Sequence, residues 1–190
     1  ELPPGRQAIK TLHRTDNHRA QVMGFLKNEI EKGRQVYIVY PLIEESEKLD
    51  YESLLAGYEQ VKSWFPDSKY RIAMVHGKQD AALRESNMNS FVKGNAHILV
   101  ATTVIEVGVN VPNASVMLIE NAERFGLAQL HQLRGRVGRG AEQSYCFLAT
   151  KDHFRYHIGK KPEELSAARA TVLRLKTMED SNDGFKIAEV

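Results

Sequence analysis

Three arginines, Arg134, Arg136 and Arg139, fall within six residues and are spaced by Gly135 and Gly138, with Gly140 behind them. From Arg124 to Gly140 there are four arginines and no acid, whereas the chain as a whole nearly balances 26 Lys and Arg against 24 Asp and Glu. Guanidinium is planar, permanently charged and forks onto pairs of phosphate oxygens. Glycine lets the backbone turn and approach a ligand closely. A merely solvated basic helix end would be served as well by lysine, and this stretch has none. It is read as a phosphate clamp. Leu127, Leu130 and Leu133 precede it at helical spacing, so a helix is expected to hold the arginines at or just past its end.

Two other groups could face a ligand. His76-Gly77-Lys78 follows a predicted strand, Tyr70–Val75, and Thr102-Thr103 closes the run that begins at His97. Open α/β sheets bind ligands along the carboxyl ends of their strands, and all three groups, the arginine element included, are expected on that edge. Threonine hydroxyls and nearby backbone N–H groups can hold a phosphate backbone, and Lys78 adds a point charge. Singly, each has a plainer reading: His76 as a satisfied surface histidine, Thr102 and Thr103 as strand-end residues. The shared edge is what favours a ligand.

The sequence has no G-x-x-x-x-G-K-[ST] phosphate loop and no following acidic pair to hold magnesium. Gly77-Lys78 is followed by Gln79, with no glycine five residues earlier. An arginine clamp without a cradle has the character of an arginine finger serving a site built elsewhere.

The elements that must position these groups alternate. A strand is expected within Ala8–Leu12, then a helix capped by Asp16 or Asn17 and ended by Gly33, with Val22, Met23, Leu26 and Ile30 inward. Val36–Tyr40 is β-branched and aromatic without charge, as suits a strand covered on both faces. Glu44–Glu52 is read as a solvated acidic loop, followed by a helix from about Tyr51 to Phe65. A third helix, Asp80–Val92, turns Met88, Phe91 and Val92 inward. Strands follow at His97–Val100, Ser115–Ile119 and Ser144–Leu148. Strand–helix alternation at this spacing predicts an α/β fold, a mostly parallel sheet with helices on both faces. Beyond Lys151, Pro162 is expected to start a helix in which Leu165, Ala168, Val172, Leu175 and Met178 share a face, with a turn at Asn182-Asp183-Gly184.

Bulk properties agree with a soluble globular protein: 190 residues, 42% hydrophobic, 26% charged. A net charge of +2 means that any nucleic-acid surface must be local. The single Cys146 excludes an internal disulfide framework, fits a reducing compartment and is expected to be buried and inert. No apolar run reaches membrane-spanning length, and the start, Glu1 to Arg6, reads as a linker.

His131-Gln132-Leu133-Arg134-Gly135-Arg136-Val137-Gly138-Arg139 resembles motif VI of superfamily-two helicases. Ala101–Pro112 resembles motif V, and Val36–Glu45 resembles motif IV with its flank. Val39 to Ser46, Thr103 to Val109 and Asn182 to Glu189 make the chain most similar to the RecG family of ATP-dependent DNA helicases, over nearly its whole length. The resemblance implies the second RecA-like lobe of a motor, a three-layer αβα domain followed by a helical hairpin. The implied organisation is a linker and edge segment at 1–16, the lobe at 17–150, and the truncated start of a translocation hairpin at 151–190. ATP with Mg2+ would be bound mainly by an upstream lobe carrying the phosphate loop, itself joined to a wedge domain. Arg136 and Arg139 would reach the γ-phosphate, with Arg139 the finger. Gln132 would link the ATP site to DNA, Gly108 and Asn110 would lie near the ribose, and His76, Gly77, Lys78, Thr102 and Thr103 would face the DNA backbone. Arg174 would be a coupling residue. The implied partner is branched or forked DNA, with no membrane, in a bacterial cytoplasm and associated with the nucleoid. The family usually has aspartate where this chain has Asn110, which can still hydrogen-bond but carries no charge.

Other readings are a motor lobe of the transcription-repair coupling factor family, which shares much of the pattern, and a stand-alone DNA-binding module without an ATP cycle. A phosphate-binding transferase would need a base near the arginines, and His131 is the one candidate.

Overall fold

The structure is a computed structural model, and it describes residues 8–42, 47–102, 111–138, 140, 142–154 and 169–181. Among the described residues, six strands form one sheet: β1 (Lys10–Thr15), β2 (Gln35–Tyr40), β3 (Ile72–Val75), β4 (Ile98–Thr102), β5 (Ala114–Ile119) and β6 (Tyr145–Thr150). Their order across the sheet is β1-β6-β5-β2-β4-β3, and every pairing is parallel. β2, β4 and β5 are buried at every position, which explains their unbroken apolar sequences, while β1 alternates as an edge strand does.

Helices cover both faces. On one, α1 (Arg19–Glu31) and α2 (Glu47–Trp64) pack Met23, Leu26, Leu54 and Val61 against Val36, Ile38, Val100 and Leu118. On the other, α3 (Ala81–Val92), α4 (Leu127–Arg134) and α5 (Arg169–Asp180) pack Phe91, Leu130, Leu133, Leu175 and Met178 against Tyr37, Val39, Leu99 and Met117. The chain moves outward through β1, β2 and β3 with helices on one face. It returns through β4, β5 and β6 with helices on the other, as right-handed crossovers require. This is a three-layer αβα domain.

Several local expectations are revised. Glu47–Glu52 is not a loop but the first turns of α2, where carboxylates suit the positive end of the helix dipole. Asp16 and Asn17 do not cap α1: they form a short 3-10 turn with His18, and the Asp16 carboxylate accepts from Arg19 at 3.3 Å instead. Val92 points outward at 43% exposure, because Phe91, one residue away, takes the inward direction. The expected helix start at Pro162 and the turn at Asn182-Asp183-Gly184 lie outside the described residues. The described part of the C-terminal segment, α5, is built into the core: Val172, Leu175 and Met178 are buried, and α5 packs on β1 and α4.

Gly57 sets how closely α2 approaches β2. A Cβ there would come within 2.5 Å of the Tyr40 ring, whose hydroxyl donates to Gly57 O at 3.3 Å.

Candidate functional site

At the carboxyl edge, β3 and β4 pair with Val75 opposite Ala101, so His76 and Thr102 follow side by side. His76 is not a surface residue: it is 2% exposed, behind the Tyr51 ring of α2, whose centroid is 5.0 Å away. Its Nδ1 accepts the Lys78 backbone N–H at 2.9 Å, so in the neutral ring Nε2 carries the proton. The His76 backbone N–H donates to Gln79 Oε1 at 2.9 Å, and Arg84 of α3 donates to the Gly77 and Gln79 carbonyls. Gly77 and Lys78 are exposed, and Lys78 Nζ lies 5.8 Å from the Tyr51 ring centre. The Thr102 hydroxyl is buried with no hydrogen-bond partner among the described residues. An orphaned hydroxyl at a strand end is a group that a ligand or a neighbouring loop would satisfy. Thr103 lies outside the described residues.

The arginine element is not on that edge. After β5 the chain turns at Asn121, φ 50°, and α4 carries it back along the sheet. The end of α4 lies at the amino ends of the strands, where Arg134 Nη1 donates to Thr11 Oγ1 at 3.2 Å near the start of β1. Gly140 confirms the location: a Cβ on it would sit 2.9 Å from the Pro112 carbonyl, just before β5. A parallel crossover helix must return to the amino edge to start the next strand, so the two groups are a strand length apart, about 20 Å.

Arg134 is also not part of a phosphate clamp. It is 2% exposed, and Nη1 donates to Met178 O at 3.1 Å and to Ser181 O, at the end of α5. The signal was present, since Arg134 lies four residues after the fully buried Leu130 and so shares its helix face. Beyond it, the Arg136 N–H donates to Leu133 O and the Val137 N–H to Arg134 O, Val137 is fully buried, and Gly138 takes φ 81°. That tight turn leaves Arg136 half-buried at the amino edge. Gln132 is exposed on the outer face of α4. Gly108, Asn110 and Arg139 lie outside the described residues.

Arg174 of α5 sits elsewhere again. Its Nη2 donates to Glu123 O at 3.0 Å, in the 3-10 turn that leads into α4. Arg174 and Arg134 thus tie α5 to both ends of the α4 crossover. Cys146 is fully buried, and burial pushes its thiol up to about 12, against the pull of Arg134, so it is inert at neutral pH.

The donor set bears on what could bind. The amino edge presents guanidinium and backbone, which suits phosphate oxygens. No group of three metal-ligating side chains occurs among the described residues.

Residues 17–141 match the helicase conserved C-terminal domain family. The ATP-dependent DNA helicase RecG of Synechocystis sp. is 48% identical over the full length of this chain, which covers 21% of that protein. RecG of Escherichia coli K12 is 46% identical, again across the whole chain and over 25% of its own length. A solved structure of RecG bound to a three-way DNA junction superposes on all of the chain, and on 22% of its own, with a TM-score of 0.75 and 40% identity. The chain is a helicase C-terminal lobe of the RecG family. It spans about a fifth to a quarter of the RecG proteins that it matches. The C-terminal domain of the DEAD-box protein Dbp5 shares the fold, with a TM-score of 0.58 at 16% identity over 96% of this chain and 95% of its own. Both bear out the RecA-like lobe expected from the motifs.

Sequence reasoning missed Tyr51 and Arg84, which brace the His76-Gly77-Lys78 loop. Neither carries a local signal, because each reaches the loop from a separate helix.

Proposed function

We propose that this RecG-type lobe is one half of an ATP-driven DNA motor acting on branched or forked DNA. A phosphate-loop lobe and a wedge domain of the same protein, in the bacterial cytoplasm, supply the rest. Bound between the lobes with Mg2+, ATP supplies the phosphoryl group whose hydrolysis drives the cycle. Arg136 and Arg139 approach the γ-phosphate on closure, with Arg139 the finger, and neutralise charge that develops in the transition state. Gly108 and Asn110 lie by the ribose, and Gln132 links the nucleotide to DNA. His76, Gly77, Lys78, Thr102 and Thr103 hold the DNA backbone at the opposite edge. Residues 17–150 act as the lobe and 151–190 as the start of the translocation hairpin, with Arg174 coupling the two.

What carries the reading is the overlap of the entire chain, at 40% identity, with RecG on a three-way DNA junction. The placement of Arg136 supports it, because a turn fixed to the interior can present a cation reproducibly. In the full-length protein, Arg139→Ala is expected to lower ATP hydrolysis stimulated by branched DNA by roughly a thousandfold or more. Unchanged turnover would remove Arg139 from the site. The 190-residue chain alone is expected to hydrolyse no ATP and to bind DNA weakly, with strong salt dependence.

A further inference from the structure

Another arginine lies at the amino edge, far in sequence from the arginine turn. Arg34 follows Gly33, whose φ is 90°, and directly precedes β2. Its guanidinium Nη2 lies 3.5 Å from the Pro112 carbonyl, and its Nε is buried with no hydrogen-bond partner among the described residues. Gly140, at the end of the arginine turn, rests on the same place. A Cβ on Gly140 would come 2.9 Å from Pro112 O and 3.9 Å from Arg34 Nη2. Only a residue without a side chain lets the turn lie this low.

The ground beneath is rigid. Asn113 Nδ2 donates to Gly33 O at 2.8 Å and to Gln35 Oε1 at 3.2 Å, joining the turns that lead into β5 and β2. Gln35 Nε2 in turn donates to Phe91 O at 2.7 Å and Ala96 O at 2.9 Å. Gln35 is 4% exposed, so these bonds tie the seat to the core.

We propose that Arg34 is a positioning residue: with the Pro112 carbonyl it forms a seat for Gly140 and thereby fixes where the turn presents Arg136. Its planar guanidinium lies beside this contact, 3.5 Å from the Pro112 carbonyl and 3.9 Å from where a Gly140 Cβ would be, and presents a rigid flank that a flexible ammonium would not. It acts through the turn and does not touch the nucleotide. This inference rests on the reading of Arg136 as a phosphate-facing residue and deepens that site.

The test uses the full-length protein with branched DNA and varied ATP, comparing Arg34→Gln, Arg136→Ala and the double variant. A displaced catalytic group costs turnover rather than ground-state binding. Arg34→Gln is therefore expected to lower kcat roughly ten- to a hundredfold with KM for ATP changed by less than about twofold. The double variant is expected to be no slower than Arg136→Ala alone, because both remove the same contribution. Multiplying effects would mean that Arg34 acts independently of the turn and would overturn the proposal, as would an unchanged kcat for Arg34→Gln. If Arg136→Ala itself leaves kcat unaltered, the phosphate-facing reading fails first and the seat has nothing to position. Should Arg34→Gln lower the melting temperature, Gly140→Ala serves in its place, since its methyl lifts the turn off Pro112. It must show the same loss of kcat at constant KM, and a normal kcat overturns the seat.

Discussion

His76 and Lys78 at the carboxyl edge are held largely by their neighbours: a backbone N–H two residues on, a glutamine three residues on, and one helix on each side. The arginine turn at the amino edge is held by the far parts of the chain. Arg134 reaches Thr11 and the end of α5, while Gly140 rests on the approach to β5. The contrast suits the roles proposed for the two edges. A grip on a DNA backbone can tolerate small shifts, because charge attraction falls off slowly with distance. A cation meeting a transition state must be placed within a fraction of an ångström, so it is referenced to the core. If the edges are separable in this way, Arg139→Ala lowers ATP turnover while leaving DNA affinity unchanged, and the mirror result belongs to the carboxyl edge.

The next largest effect concerns the anchor itself. Arg134→Ala strips the donor from Thr11 Oγ1, Met178 O and Ser181 O in a buried setting. Leaving buried acceptors unpaired is expected to destabilise the lobe by about 3 kcal/mol or more. Amide hydrogen exchange in α5 of the full-length protein reads this directly. Protection in α5 that survives the substitution would show that the turn is not tied to it.

A reversible perturbation of similar size tests the edge pair β1 and β6, on the face of β1 that also carries Thr11. His13 of β1 is 8% exposed, its Nε2 is 2.7 Å from Thr150 Oγ1, and burial, with Arg14 nearby, pushes its pKa down to about 4. The folded state therefore takes up this proton later than the unfolded state, whose histidine titrates near 6.5. Stability from this group is complete above 6.5 and declines as pH falls from 6.5 towards 4, by about 3 kcal/mol in all. Exchange rates in β1 and β6, corrected for intrinsic pH dependence, should rise across that window and stay flat in His13→Gln. A rise that persists in the variant would assign it to another group.

The sheet was legible because strands covered on both faces must be apolar throughout, and Val36–Tyr40 could be little else. The arginine turn could be found in the sequence but not placed in the fold. Periodicity locates a helix without saying at which end of the sheet it finishes, and only the crossover puts Arg136 opposite Thr102. Glu47–Glu52 misled for a related reason: its acids suit both a loop and the first turns of a helix. The burial of His76 depends on Tyr51, which is 25 residues away in sequence and on another helix. No local pattern carries such a contact. Arg134 was readable from its spacing to Leu130, yet its charge argued for the surface, and the carbonyls that satisfy it belong to α5.

The smallest effect is the most discriminating for the carboxyl edge. Lys78 is exposed, and its ammonium lies over the edge of the loop, near Tyr51. If it neutralises one backbone phosphate, Lys78→Ala should reduce the slope of log affinity against log salt by about 0.9, since one fewer counterion is released on binding. Affinity at moderate salt then falls only a few-fold, about 1 kcal/mol or less, in keeping with a single exposed contact. With DNA saturating, the ATPase kcat should match that of the parent protein. An unchanged salt slope would take Lys78 off the DNA. A lower kcat at saturating DNA would be the more instructive failure: a local change at one edge would then reach the arginine turn about 20 Å away, across a sheet whose central strands are buried on both faces.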